Sequence, residues 1–483
     1  MENKIEENVQ IRKYLFIDGK KVESDSYVEL YSPYSEEKIA EIAMADTEMV
    51  KRAIAAAEKA FDKISSMPSY ERASILERVT KLLSERSEEA ARIIALESAK
   101  PITFARAEVS RTIETYKFAS EEAKRIHGET IPFDASPGGV GRTGYTVRKP
   151  IGVIGAITPF NFPMNLVAHK VGPAIASGNS IVLKPASQTP LSALFIAELF
   201  QEAGLPDGVL NVVTGSGSVV GEAIIHDDRV QMVTFTGSPE VGIGIRNKAG
   251  LKKTTLELGS NAAVIVDKGV EIDRIIDRLV TGAFSNQGQV CISLQRIYAH
   301  EEIFDELVKK LTEATKQLKI GDPLHSETFI SSLISKRETE RALSWIDEAK
   351  LHGAMVVTGG RTQAGILEPT ILIDVDPNVK VSCQEVFAPI VMINKIGSIK
   401  EAIRYVNDSK YGLQAGIYTE SIKQAQLAAN ELAVGAVMIN DIPTFRVDHM
   451  PYGGVKESGT GREGLKYAIE EMTELMLIVW NQS

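Results

Sequence analysis

Between residues 153 and 235, short apolar runs alternate with helical segments, and this alternation constrains the fold more than any other feature of the chain. Val153-Ile154-Gly155-Ala156-Ile157, Ser180-Ile181-Val182-Leu183, Val209-Leu210-Asn211-Val212-Val213 and Met232-Val233-Thr234-Phe235 are each bounded by Gly, Pro or Asn. Helical stretches such as 191–203 separate most of them. Near-continuous apolar strands with helices between them predict a parallel, doubly wound α/β sheet covered on both faces. A second α/β stretch runs from 262 to about 439, with helices expected near 271–284, 301–317 and 336–352 and strands near 262–266, 294–299 and 390–394. A length of 483 residues exceeds what one core can hold, so two or three domains are expected.

The flanking segments have other textures. Residues 13–45 read as short strands, with Asp18-Gly19 between apolar runs as a hairpin turn. From 47 to about 126 the spacing of Val50, Ile54, Ala57, Ala60 and Phe61, then Ile75, Val79, Leu82 and Leu83, is helical. Arg106 and Arg111 fall in this region and read as a solvated helix face. Residues 130–150 are rich in Gly and Thr, with a strand at Tyr145–Arg148, and suggest an arm that pairs with another subunit. The tail Thr473–Trp480 is an apolar strand, and such an edge must be covered to avoid aggregation, so a homo-oligomer is expected.

Charge and cysteine content narrow the partners. The net charge is −10 without any Lys/Arg tract, which argues against nucleic acid and anionic membranes. Two cysteines cannot build a disulfide framework and fit a reducing cytoplasm. The segment Met1–Glu7 is charged and lacks the apolar core of a signal peptide. No apolar run approaches the roughly 18 residues that span a bilayer.

Five segments carry chemistry. Cys291 follows Phe284-Ser285-Asn286-Gln287-Gly288-Gln289-Val290, small polar residues rather than the apolar run that surrounds a packed thiol. Gly288 there permits close backbone approach, and access with nearby donors is what a thiolate nucleophile needs. Asn161 sits in the stiff loop Thr158-Pro159-Phe160-Asn161-Phe162-Pro163, where its amide either donates to an oxyanion or makes a turn hydrogen bond. Lys184 ends a strand, placing a cation in the ligand crevice of an open sheet or simply on the surface. Gly215, Gly217 and Gly221, followed by Phe235-Thr236-Gly237-Ser238, are glycine-rich turns suited to phosphate, but their spacing departs from the dinucleotide fingerprint. Glu257, in Thr255-Leu256-Glu257-Leu258-Gly259-Ser260, is a carboxylate at an apolar strand end, either a general base or a satisfied structural group.

In order and together, these segments resemble the NAD(P)-dependent aldehyde dehydrogenase superfamily over essentially the whole chain. Phe284–Cys291 resembles its cysteine signature, Leu256–Gly259 its glutamate signature (with Ser260 where a second Gly is usual), and Pro159–Pro163 its oxyanion loop. Glu385-Val386-Phe387-Ala388-Pro389 resembles the segment that holds the nicotinamide ribose, with Ala388 where Gly is common. Pro451–Lys456, Ser458-Gly459 and Gly461-Arg462-Glu463 match the C-terminal motif. The resemblance implies an aldehyde dehydrogenase-like fold. Its parts would be a Rossmann-type cofactor domain (1–127 and 150–258), an α/β catalytic domain (259–455), and a β arm and tail (128–149 and 456–483). It implies Cys291 as nucleophile, Glu257 as general base, Asn161 as oxyanion donor, and Glu463 as either a proton relay or the ion-pair partner of Arg462. It lays NADP or NAD along Ile157, Thr158, Pro159, Phe160, Lys184, Ser187, Gly217, Gly221, Phe235, Gly237, Ser238, Leu258, Glu385 and Phe387, and implies no metal. Ser187 stands where NAD-preferring members place a Glu, so NADP is tolerated. Arg446 and His449 border the expected aldehyde tunnel; Arg446 either grips an anionic or hydroxylated substrate or pairs with Asp448 or a neighbouring subunit. Cys383 reads as a packed thiol. The expected reaction is oxidation of a short polar or anionic aldehyde to its acid. The alternatives are a CoA-acylating member, against which Glu257 speaks, and a non-catalytic structural member.

Overall fold

The computed structural model describes residues 12–482, so the charged segment Met1–Glu7 lies outside the described residues. The Asp18-Gly19 turn has positive φ at both residues, 53° and 68°, and joins the antiparallel strands Leu15–Ile17 and Lys20–Val22. That geometry matches the right-handed twist of the strands it connects. This hairpin forms one edge of an eight-stranded sheet. Across it the strands run 459–460, 253–257, 230–236, 153–157, 180–184, 210–212, 15–17 and 20–22. The five central strands are parallel, as their apolar, non-alternating sequences predict.

Winding order decides where a ligand can lie. The chain runs from 153–157 outward to 180–184 and 210–212, then returns to the other side at 230–236 and 253–257. Such a reversal opens a crevice beyond the carboxyl ends of the strands. Ile157 is in register with Lys184 on one side and with Phe235 on the other, so these three residues stand in one row at that crevice.

Helices cover the sheet. Asp46 caps helix Thr47–Ser66 by accepting the Met49 N–H at 2.8 Å. Val50, Ile54 and Ala57 face inward as their spacing predicts. Helix Asn165–Ser177 is buried at every position, lying between the sheet and helices Ile102–Ala123 and Leu465–Glu471.

A second, seven-stranded sheet has the order 355–358, 370–373, 390–396, 296–300, 263–266, 414–418 and 436–439, all parallel except the first pair. Its helices, Ile276–Phe284, Phe304–Thr315 and Lys336–Leu351, lie where periodicity expected them. The first starts later than expected because Ile272–Arg274 forms a separate 3-10 turn.

The tail strand Thr473–Asn481 pairs along its whole length with Arg142–Pro150, which also pairs with Thr130–Ile131. Leu475, Leu477 and Trp480 on it are half or more exposed. Upstream, the chain takes other roles: Gly459–Thr460 joins the first sheet beside Glu257, and Leu465–Glu471 packs on Asn165–Ser177. Among the described residues, no helix is long and apolar enough to cross a membrane.

Candidate active site

Helix Ile276–Phe284 delivers the chain into an unusual turn. Asn286, Gln287 and Gly288 are all left-handed, with φ of 50°, 55° and 68°. Each non-glycine residue so placed costs about 1–2 kcal/mol, and the turn is held by side-chain bonds. Asn286 Nδ2 donates to the carbonyls of Asn161 and Gln289, both at 3.2 Å. Gln287 Nε2 donates to the carbonyls of Ala99 at 2.9 Å and Ser332 at 3.0 Å. At Gly288, a Cβ would collide with the Ala388 carbonyl, so the close approach expected from the sequence is to that group.

The turn presents Cys291, half-buried, with Sγ 2.9 Å from the Tyr452 hydroxyl. Burial pushes the Cys291 thiol up to about 11, against the opposing pull of the Tyr452 hydrogen bond and the Arg446 charge. Asn161 is brought to the same corner, and its Nδ2 donates to the Gln289 carbonyl at 2.9 Å. Cys383 is elsewhere, its Sγ 3.4 Å from the Asn378 carbonyl.

Glu257 is buried at the carboxyl end of its strand, and neither carboxylate oxygen has a hydrogen-bond partner among the described residues. Burial, then the negative charge of Glu463, raises its carboxyl well above the ordinary range. Glu463 is the opposite case. Burial alone would raise it, but Lys170 and Arg446, each bonded to it at 3.0 Å, hold it below the ordinary range. Two neighbouring acids are thus driven in opposite directions, Glu257 toward its neutral form and Glu463 toward its ionised form. The expected alternative pairing of Glu463 with Arg462 is not made; Arg462 Nη1 donates to the carbonyls of Gly454 and Gly461.

Arg446 likewise does not pair with Asp448. Its guanidinium lies 3.7 Å from the centre of the Tyr452 ring and bonds Glu463. Asp448 instead receives Arg111 through two bonds of 2.7 and 3.1 Å, His169 Nε2 at 2.8 Å, and Asn165 Nδ2 at 3.0 Å. His169 is buried, burial lowers its pKa, and Nδ1 has no partner among the described residues. Because a carboxylate only accepts, Nε2 donates to Asp448, and Arg446 Nη2 lies 3.1 Å from the same nitrogen.

Of these groups, Cys291, Tyr452, Asn165, Asn286, Arg111 and Arg446 line a cavity of about 200 Å³, whereas Asn161, Glu257 and Glu463 are not in its wall. Phe104, Phe162, Leu166, Val290 and Ile292 supply apolar walls, Cys291 lines it, and Arg111 and Arg446 line it with positive charge. Arg111 is therefore not on a solvated helix face, as its sequence context suggested; Arg106 is, in an exposed pair with Glu88. The signal was present in the sequence. Phe104, Ala107, Glu108 and Arg111 have the i, i+3, i+4, i+7 spacing of one helix face, and that face meets the cavity. His449 lies outside it, exposed, with its ring 4.7 Å from that of Phe118 and tilted 44° to it. Tyr452, Lys100, Glu108 and Lys170 were not singled out from the sequence.

At the crevice of the first sheet, the Lys184 amine donates to the Pro185 carbonyl at 3.0 Å, and burial lowers its pKa to about 8. Thr158 Oγ1 is buried without a partner among the described residues. Ser187 Oγ donates to the Gly215 carbonyl at 3.1 Å. Gly217–Gly221 is a wide helical turn in which Gly217 has open space where a Cβ would stand. Gly237 N–H donates to the Glu257 carbonyl, and Ser238 caps helix Pro239–Lys248. Glu385 accepts the Ser260 N–H at 3.0 Å, and burial raises it to about 7. A Cβ at Gly259 would stand 2.6 Å from that carboxylate. Phe387 meets Phe160 edge to face, 5.8 Å between ring centres.

An open α/β sheet with a crevice at its winding reversal lies beside a cavity lined by Cys291, Arg111 and Arg446. Comparison with known proteins identifies an oxidoreductase. The sequence profile described as "Aldehyde dehydrogenase family" matches residues 20–478. The 3-sulfolactaldehyde dehydrogenase of Priestia megaterium is 47% identical over 473 residues, covering 98% of this chain and 99% of that protein. The crystal structure of aldehyde dehydrogenase 21 from Physcomitrella patens, in complex with the reaction product succinate, superposes with a TM-score of 0.96 at 40% identity, covering 98% of both chains. Glyceraldehyde-3-phosphate dehydrogenase from Methanocaldococcus jannaschii, complexed with NADP, superposes at 0.91 with 39% identity, covering 95% of this chain and 100% of that one. The chain belongs to the aldehyde dehydrogenase family.

Proposed function

We propose that the protein oxidises a short anionic or polar aldehyde to the carboxylic acid, using NADP or NAD and a covalent intermediate on Cys291. The observation that carries this reading is the placement of Arg111 and Arg446 in the same small cavity as Cys291, each held by a buried carboxylate. Two guanidiniums fixed in this way offer bidentate donors to a carboxylate, sulfonate or phosphate. The substrates named for similar proteins, sulfolactaldehyde and glyceraldehyde 3-phosphate, carry such groups, as does the product succinate.

The residues at the crevice fit a dinucleotide. Lys184 and the unpartnered Thr158 hydroxyl are buried donors, Gly217 leaves room beside a turn, and Glu385 has an oxygen to spare. When bound, the cofactor supplies the hydride acceptor. Lys184 would meet the adenosine ribose, Glu385 the nicotinamide ribose, and Phe160 with Phe387 the ring. Ile157, Pro159, Gly221, Phe235, Gly237, Ser238 and Leu258 complete the wall. Ser187 carries no charge to repel a 2′-phosphate, which supports use of NADP.

Cys291 attacks the aldehyde carbon as thiolate, forming a thiohemiacetal whose oxyanion is stabilised by the second Nδ2 hydrogen of Asn161. Burial favours the neutral thiol, so the thiol proton must first pass to water, and the Tyr452 hydroxyl and the Arg446 charge favour the resulting thiolate. Loss of hydride leaves a thioester on Sγ. Glu257, once ionised, takes a proton from the water that attacks this thioester, and the tetrahedral adduct collapses to the carboxylic acid and the Cys291 thiolate. Glu463 and Lys170 then offer that proton a route away from Glu257.

We also propose that residues 1–127 with 150–258 bind the cofactor and 259–455 carry the cysteine. The exposed apolar tail strand supports a homo-oligomer, and two unpaired cysteines support a cytoplasmic setting. Light scattering on the eluting protein tests the assembly; a monomer at micromolar concentration would contradict it. Initial rates with anionic aldehydes and with propanal, each with NAD and with NADP, test the function. A kcat/KM for the best anionic aldehyde at least tenfold above propanal, about 1.4 kcal/mol, is expected. Equal rates would overturn the anion-grip reading.

A further inference from the structure

Lys100 and Glu108 form an ion pair with both side chains fully buried, and no step above uses it. Replacing such a pair with well-packed apolar residues is often neutral or stabilising, so stability alone is weak grounds for its presence. Its other contacts suggest what it does. Lys100 Nζ also donates to the backbone carbonyl of Asn161 at 2.7 Å and lies 3.9 Å from the centre of the Phe162 ring. Glu108 Oε1 accepts the N–H groups of Met164 at 2.9 Å and Asn165 at 3.2 Å. The pair therefore grips the loop at the Asn161 carbonyl and again three residues further on.

The same corner reaches the cysteine loop. Ala99 is left-handed, φ 54°, and its carbonyl accepts Gln287 Nε2. Asn286 Nδ2 donates to the same Asn161 carbonyl that Lys100 holds. The dipeptide Ala99-Lys100 thus binds both loops that meet at Cys291.

We infer that Lys100 and Glu108 are a positioning pair that fixes the Asn161 amide against Cys291 and sets the oxyanion site. This rests on the reading of Asn161 as the oxyanion donor. Neither residue of the pair reacts; both act through the loop they hold. A purely structural pair would change stability and yield, whereas a positioning pair also slows the one step that depends on oxyanion geometry.

The test is Lys100→Met with Glu108→Gln in the full-length protein. Glutamine retains an acceptor for the two amides, and the double change leaves no bare buried charge. Hydride transfer is followed in a single turnover as cofactor reduction, and the deuterium isotope effect on kcat is measured with propanal and its aldehyde-deuterated form. Alkylation of Cys291 by iodoacetamide and the thermal midpoint are followed in parallel. A tenfold or greater slowing of hydride transfer is expected from ångström-scale misplacement. The isotope effect should rise, while the alkylation rate stays near that of the parent. Asn161→Ala should give the same signature. If Asn161→Ala slows hydride transfer and the double variant does not, the pair is scaffolding and the inference is wrong. If Asn161→Ala leaves the rate unchanged, the oxyanion reading fails and the inference falls with it. Should the double variant not fold, Glu108→Gln alone breaks the ion pair while keeping an acceptor for the Met164 and Asn165 amides. A parent-like isotope effect in that variant would equally overturn the inference.

Discussion

Arg111→Gln separates substrate recognition from architecture. Arg111 is about one-third exposed, while its partner Asp448 is buried. Removing the guanidinium does not strand that carboxylate, because His169 and Asn165 still donate to it at 2.8 and 3.0 Å. The stability cost should therefore stay near about 1 kcal/mol, well short of the 3–5 kcal/mol of a stranded buried charge. A charge-assisted bond from Arg111 to a substrate anion contributes about 1.5–3 kcal/mol, which converts to about 10- to 150-fold. The assay is steady-state kinetics with an anionic aldehyde and with propanal. The account predicts a fall of that size in kcat/KM for the anionic aldehyde, mostly through KM, with propanal nearly unchanged. Equal loss for both substrates would refute the reasoning and leave Arg111 as a packing residue.

Glu257→Gln should still reduce about one equivalent of cofactor in a rapid burst and then stall, because acylation does not need the base; stopped-flow absorbance reads both phases. In the parent enzyme, a base raised by burial and by Glu463 must lose its proton to act, so kcat should fall as pH drops below its raised pKa. Glu463→Gln removes the neighbouring negative charge, so this limb should move to lower pH; an unmoved limb would assign it to another group. Ser187→Glu should raise KM for NADP about tenfold or more by like-charge repulsion while sparing NAD, as initial rates with each cofactor would reveal. Gly288→Ala should cost several kcal/mol, through both the left-handed φ and the collision with the Ala388 carbonyl, read as the denaturation midpoint.

Local sequence carried the fold well and the cavity poorly. Strands 153–157 and 180–184 were legible because parallel strands buried on both faces leave continuous apolar runs. Cys291, Glu257 and Asn161 stood out as polar groups beside glycine or proline at element ends. What failed was partner assignment. Arg462 and Glu463 are adjacent, but Glu463 is backbone-paired with Tyr452 in extended chain, where successive side chains point oppositely. Glu463 therefore reaches Lys170, while Arg462 turns to backbone carbonyls. Asp448 is two residues from Arg446 yet bonds Arg111, 337 positions away. No periodicity encodes a contact across that separation. His449, chosen for its place beside the C-terminal motif, points to Phe118 at the surface.

The central claim is that turnover passes through a covalent acyl group on Cys291. Glu257→Gln protein, mixed with cofactor and an anionic aldehyde and quenched within the burst, tests it by peptide mass spectrometry. The account predicts about one acyl group per active site, carried on the peptide containing Cys291 and absent from Cys291→Ala. Cofactor reduction without an acyl group on Cys291, or with the group on Cys383, would contradict it.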